Sequence, residues 1–188
     1  MWALVESGSV SKIFTRPTQI KINDINYPSN IFMLWSSSEL KAIGIYEIVI
    51  DNTNLKDKEY YINTNQSFNF ASDTVTASYG TATAKAIADV TDDDGNVTKG
   101  LKSIKKENLN AEAGGILQST DWMVIREADG GTAMPSNIKT WRASVRTKAN
   151  AMCTQIDNAA DVDALAALYV YNEEIPAVRP LGEFPELS

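Results

Sequence analysis

Ile116-Leu117-Gln118-Ser119-Thr120-Asp121-Trp122-Met123-Val124-Ile125-Arg126, followed by Pro135 and then by Trp141-Arg142 and Val145-Arg146, is the stretch that decides how the C-terminal half of this chain is built. Upstream of it Leu101, Ile104 and Leu109, with the small Ala111 and Ala113, recur at helical spacing, so a helix is expected from near Lys99 to about Leu117. Gly114-Gly115 weakens its last turn, since glycine in a helix is about 1 kcal/mol worse than alanine. Asp121 then reads as a turn or cap residue beside Trp122, and the chain loops to Pro135. Pro135-Ser136 opens the next helix, because a proline at the first turn gives up an N–H that no helical carbonyl needs. In that helix Ile138, Trp141, Val145, Ala149, Met152 and Ile156 step by three and four along one face. Asp161 caps a third, short helix through Val162, Leu165 and Leu168. After Tyr171 the chain carries Pro176, Pro180 and Pro185, which exclude a regular helix or a central strand.

The pattern upstream is different. Trp2 to Val5 and Val10 to Phe14 are short β-type runs around Ser7-Gly8-Ser9, which is hairpin chemistry. Gln19 to Ile22 alternates and turns at Asn23-Asp24; Ser37 or Ser38 caps a helix over Glu39 to Ile43 that Gly44 stops. Ile45 to Ile50, Tyr60 to Asn63, Gln66 to Phe70 and Thr74 to Tyr79 read as strands, with Thr81 to Val90 pairing back across Gly80. Asp92-Asp93-Asp94-Gly95-Asn96 is a charged turn at the boundary between the two patterns. It does not fit an EF-hand loop, since Gly95 at the sixth position would put Val90 where the first acid must stand. The expected fold class is α+β: an antiparallel β-rich domain over residues 1–96, a helical hairpin over 97–170 and an extended proline-rich arm over 171–188.

Composition narrows the function. The net charge of −7 argues against nucleic acid as the main partner, because phosphate binding needs a concentrated basic surface. Lys99, Lys102, Lys105 and Lys106 form the one basic cluster, and a solvated helix face accounts for them. There is no histidine, which removes Ser-His-Asp and Cys-His catalysis and histidine-ligated zinc. The single cysteine, Cys153, lies on an apolar helical stripe and reads as a small buried hydrophobe. No apolar run is long enough to span a bilayer, and Met1 to Glu6 lacks the basic and apolar regions of a signal peptide. Carboxylate pairs are then the only acid–base route, and Asp121, Glu127, Asp129, Asp161 and Asp163 all stand where caps and polar loops explain them. No catalytic residue, cofactor or metal is expected.

Trp122, Trp141 and Arg142 could form a stacking site, but large aromatics at helical spacing usually pack. They are expected in the core, with Trp122 locking the loop against the helices and Arg142 and Arg146 pairing with acids. The tail residues Ile175, Val178, Leu181, Phe184 and Leu187 alternate with prolines and acids. That pattern suits an arm laid on a neighbouring subunit, or a tail wrapped on its own domain.

The Thr120-Asp121-Trp122 and Trp141-Arg142 pairs and their separation resemble the C-terminal module of bacteriophage tail-fibre assembly and tail-associated proteins. The likeness is strongest from about Lys99 to Leu168 and extends more weakly to Glu39–Tyr46 and Thr74–Tyr79. The glycine-rich loop Ala128 to Met134 departs from that family's acidic-proline run, and the proline-studded tail goes beyond the module. What the resemblance implies is a virion tail protein that binds other phage tail or fibre subunits, with no active site to carry over. It also implies assembly in the host cytoplasm and residence on the virion. A released tail-fibre assembly chaperone is one alternative. Another is a receptor- or glycan-binding module, which requires Tyr60, Tyr61 and Tyr79 exposed together on one face.

Overall fold

The computed structural model describes residues 1–187, a mixed α/β chain with a curled five-stranded sheet and a long helix pair. It forms two compact units, Met1–Thr83 and Ala84–Ser188, so the segment 84–96 goes with the helices.

The first unit is built on tight turns. Strands β1 (Trp2–Glu6) and β2 (Ser9–Phe14) pair antiparallel around Ser7 and Gly8, whose φ angles are +51° and +78°. The same two-residue device joins β3 (Ile20–Ile22) to β4 (Ile25–Tyr27) through Asn23 and Asp24, both at positive φ. Positive φ at both positions gives the turn a twist that matches the strands, and Asn, Asp and Gly tolerate it best. A short helix α1 (Ile31–Leu34), not foreseen in the sequence, places Ile31 and Phe32 in the core. Helix α2 (Ser37–Ala42) is capped by Ser36, one residue before the expected cap: Glu39 N–H donates to Ser36 Oγ and Ser36 N–H donates to Glu39 Oε2 at 2.7 Å. The Ser36 hydroxyl, which donates to Glu39 Oε2 at 2.7 Å, and then the Ser36 N–H hold the Glu39 carboxyl below its ordinary pKa. Gly44, at φ +84°, ends that segment; a Cβ there would lie 2.9 Å from the Val5 carbonyl oxygen.

Strands β5 (Ile45–Asp51), β6 (Tyr61–Ile62), β7 (Gln66–Ala71), β8 (Thr74–Tyr79) and β9 (Thr83–Ala84) follow. The sheet order is β2-β1-β5-β8-β7, and edge strands β2 and β7 come close enough to curl the sheet. The expectation of an antiparallel domain is corrected at one pair. Strands β5 and β8 are parallel, with Ile48 opposite Val75 and Asp51 opposite Ser78. The reason is the long crossover after Asp51, which returns the chain in β5's own direction, whereas an antiparallel neighbour needs only a tight turn. β5 changes partner halfway: Ile45 to Glu47 pair with β1, and Ile48 to Asp51 pair with β8. The expected strand from Thr81 to Val90, paired with β8, does not form: within that range Thr83–Ala84 (β9) and Val90 alone are strand, and β9 pairs with β6. Leu4, Phe14, Ile20, Ile22, Ile31, Phe32, Leu40 and Ile45 form the core, with Trp2 tilted onto Phe32 at 4.9 Å between centroids.

In the second unit β10 (Val90–Thr91) and β11 (Val97–Thr98) pair around the acidic turn, where Asp92 Oδ1 accepts from the N–H groups of Asp94 and Asn96. The segment before it satisfies the first free N–H groups of helix α3 (Leu101–Ala128). Leu101 N–H donates to Ala86 O, Lys102 N–H to Ile87 O, and Gly100 N–H to Asp89 Oδ1. Helix α3 does not stop near Leu117. It runs straight through Gly114-Gly115, whose combined cost is about 2 kcal/mol, because its far half still buries Thr120 and packs Ile116 and Leu117. Helix α4 (Ser136–Asn158) packs on α3 and buries Ile138, Val145, Ala149, Met152 and Ile156, the stripe read from the sequence. Asp161 caps α5 (Val162–Ala167) by accepting from Ala164 N–H at 2.8 Å. Among the described residues no helix is long and apolar enough to cross a membrane.

Candidate functional site

The inward face of α3 follows a four-residue step through Leu101, Lys105, Leu109 and Ala113, all buried, and then reaches Thr120. That line brings Asp121 to the seam with α4, in mid-helix. The expectation that Asp121 caps a turn is therefore corrected, since the helix does not end there. Arg142 of α4 is only 8% exposed, and its guanidinium meets the seam from the other side. Nη1 donates to the Leu117 carbonyl at 2.8 Å and to Thr120 Oγ1 at 2.5 Å, while Nη2 contacts Asp121 Oδ1 at 2.7 Å. A buried guanidinium survives only when its donors are matched, and here one carbonyl, one hydroxyl and one carboxylate match them. Arg146, expected on the same face, is exposed.

The two tryptophans part company. Trp141 is half-buried against the Ala113–Val145–Ala149 cluster, and its Nε1 donates to the Pro185 carbonyl at 2.9 Å. Trp122 is 53% exposed, which overturns its expected place in the core. α3 carries apolar side chains on both faces, and Trp122 stands opposite the line that faces α4; Arg126 covers its ring at 4.9 Å.

The tail is divided in the same way. Leu181 is fully buried, its N–H donating to Leu168 O, and Lys148 Nζ donates to Leu181 O at 3.1 Å. Phe184 packs on the Ala113–Val145–Ala149 cluster. These two residues wrap on their own unit. Between Leu168 and Leu181 the chain makes a loop closed by Asn172, whose N–H donates to Val178 O and whose Oδ1 accepts from Val178 N–H. Ile175 is 100% exposed there, and Val178 and Leu187 are about half exposed. Of the five tail residues singled out, then, Leu181 and Phe184 serve the fold while Ile175, Val178 and Leu187 face outward.

Sequence alone places Lys105 among the solvated lysines, yet it is buried with Nζ 4.2 Å above the Tyr169 ring centroid. The four-residue step from Leu101 to Leu109 is the signal that could have found it. Its neighbours are tied down too: Lys102 to the Asp157 carbonyl, Lys106 to the Asp157 carboxylate and Lys99 to Glu107. A small cavity of about 170 Å³ lies among Lys105, Asn108, Glu112, Tyr169 and Arg179. Along the outer side of α4, Thr140, Ala143, Thr147 and Ala151 with Glu183 and Pro185 line an open groove of about 660 Å³.

Of the remaining candidate acids, Asp161 caps α5 and Glu127 is held at the end of α3. Glu127 contacts Lys139 Nζ at 2.6 Å and accepts from Met134 N–H, contacts that hold its carboxyl below the usual range. Cys153 is half-buried beside Asn110 rather than in the core, and desolvation raises its thiol pKa. Among the described residues no group of three or more histidine, cysteine or acidic side chains could hold a metal. In the first unit Tyr60 is 4% exposed, so Tyr60, Tyr61 and Tyr79 do not form the exposed platform a glycan-binding module requires. Comparison of the chain with known protein families, with curated proteins and with solved structures finds no match.

Proposed function

We propose that this chain is a structural protein of a bacteriophage tail, a component of the fibre or of its attachment, working through contacts with other tail or fibre subunits. The α3–α4 pair acts as a helical hairpin, and the segment after Tyr171 reaches a neighbour through Ile175, Val178 and Leu187. The observation that carries the reading is the use made of the motif side chains. Thr120, Asp121 and Arg142 cross-link the two helices and Trp141 holds the tail, so the motif builds a scaffold while apolar residues beside it remain exposed. Binding proteins expose such residues where a partner covers them. The net charge of −7 favours protein partners over nucleic acid or an anionic membrane surface.

Mass spectrometry of purified virions, with copy number measured against the major capsid protein, tests the proposal. Stoichiometric presence on mature particles is the expected result. Presence in infected-cell lysate with absence from particles would reassign the chain to a released fibre-assembly chaperone.

A further inference from the structure

The outward face of α3 is the feature that neither the scaffold nor the tail explains. Ile104, Asn108, Ala111, Gly115, Gln118, Trp122 and Ile125 follow one another at alternating steps of four and three, the spacing of a helix–helix seam. All of them are exposed, with Trp122 at 53% and Ile125 at 62%. None carries a charge, although this is the solvent side of a helix in a chain of net charge −7. Nothing lies within 4 Å of a Cβ built on Gly114 or Gly115. Alanine would fit at both positions within the monomer, and each glycine costs about 1 kcal/mol against it. The folded chain alone gives no reason for that cost.

We propose that this face binds a second copy of the chain, with the two α3 helices antiparallel and crossing at Gly114-Gly115. Three observations favour a second copy over an unrelated partner. First, the glycine pair stands at the midpoint of the 28-residue helix, with equal lengths on either side. A two-fold axis there leaves the glycine backbones free to approach closely. Second, the stripe is self-complementary about that midpoint: Ile104 falls opposite the partner's Ile125, and Ala111 falls opposite the partner's Gln118. The two isoleucines thus meet at the two ends, where space opens away from the crossing. Third, the seven stripe residues are uncharged and the charges that flank them are of opposite sign, Glu107 toward one end and, toward the other, the Arg126 that covers Trp122, while antiparallel helices set their dipoles in opposition.

The contact area fixes the strength. A helix of this length is about 42 Å long, and a strip about 10 Å wide covers roughly 400 Å² on each copy. The total of about 800 Å² falls short of the roughly 1,200 Å² of stable complexes. The dimer is therefore weak, with a dissociation constant on the order of 10⁻⁵ to 10⁻⁴ M, and it matters where an assembly concentrates the chain.

Sedimentation equilibrium of the full chain, taken up to about 0.5 mM, tests this directly. The weight-average mass should rise from the monomer's 20.6 kDa toward twice that value. Gln118→Glu puts a carboxylate into the seam and should raise the dissociation constant at least about tenfold while leaving the circular dichroism unchanged. Gly114→Ala/Gly115→Ala should raise the melting temperature of the dilute monomer and weaken the dimer, a combination that lost stability cannot imitate. Orientation is read in a Cys153→Ser background. Ile104→Cys and Ile125→Cys chains should form disulfides when mixed and not when each is oxidised alone. A mass constant at the monomer value over the whole range overturns the proposal, as does a dimer indifferent to Gln118→Glu. Cross-linking of Ile104→Cys chains with themselves would overturn the antiparallel arrangement.

Discussion

Removing Asp121 and removing Arg142 should have very different costs, although the two side chains form one ion pair at 2.7 Å. The Arg142 side chain is 10% exposed and that of Asp121 is 52% exposed. Arg142→Ala deletes the donors to Leu117 O, Thr120 Oγ1 and Asp121, and also the aliphatic stem that fills the seam. Charged hydrogen bonds are worth about 1.5–3 kcal/mol each but are not additive, and breaking a largely buried pair costs about 3–5 kcal/mol. The substitution should therefore destabilise the helical unit by about 3–4 kcal/mol. Asp121→Ala leaves the guanidinium its carbonyl and hydroxyl acceptors, and water enters from the open side. About 1–2 kcal/mol is expected there. The double variant should resemble Arg142→Ala alone, giving a coupling of about 1–2 kcal/mol. Urea unfolding followed by tryptophan fluorescence in a Trp2→Phe/Trp35→Phe background restricts the signal to Trp122 and Trp141, both in the helical unit. A coupling under about 0.3 kcal/mol would mean that the pair is an ordinary surface contact, and the cross-link argument would fall. Equal costs for the two single variants would refute the asymmetry drawn from their exposure.

Three further outcomes are expected. Leu181→Ala, at a fully buried site, should cost the helical unit about 2–5 kcal/mol, whereas Ile175→Ala should stay within about 0.5 kcal/mol in the same urea assay. The lowered pKa of Glu127 means that its contribution is complete above the unfolded carboxyl value of about 4.3 and is lost as pH falls through the lower folded value. Glu127→Gln should accordingly flatten the fall of the urea midpoint in that acid window, and an unchanged slope would exclude the contact with Lys139 as its source. Gly44→Ala should cost the first unit about 1–3 kcal/mol in thermal unfolding, since alanine meets both the positive φ and the Val5 carbonyl. Gly8→Ala has only the φ to bear and should cost less.

Local chemistry was the legible part of the fold. Ser7-Gly8 and Asn23-Asp24 declare hairpin turns because few residue pairs accept positive φ at both positions. The stripe Ile138 to Ile156 declares α4 because polar residues fill its other face. α3 was harder, since Ile104, Trp122 and Ile125 on one side rival Leu101, Leu109 and Ala113 on the other, and only the partner helix decides which side is covered. The parallel pairing of β5 with β8 lay beyond reach for a similar reason. Strand direction is set by the path of residues 52–65, which carries no periodic signal. At the candidate site the residue types were legible and their roles were not. Adjacent residues on a helix point about 100° apart, so Asp121 turns toward Arg142 while Trp122 turns to solvent.

The change of partner along β5 has a consequence during synthesis. Ile45 to Glu47 can pair with β1 as soon as they leave the ribosome, because β1 has already emerged. Ile48 to Asp51 must wait for Thr74 to Tyr79, a delay of roughly 1.5–6 s at ordinary translation rates. Through that interval the nascent chain presents Val49 and Ile50 on a half-paired strand, the kind of edge that recruits other chains. The residues translated next include Lys56-Asp57-Lys58-Glu59, a run of charge that discourages such pairing while the strand waits. On this view the polar crossover shields an unfinished sheet as well as connecting its strands, and replacing those four residues with neutral ones should show first as lost soluble yield.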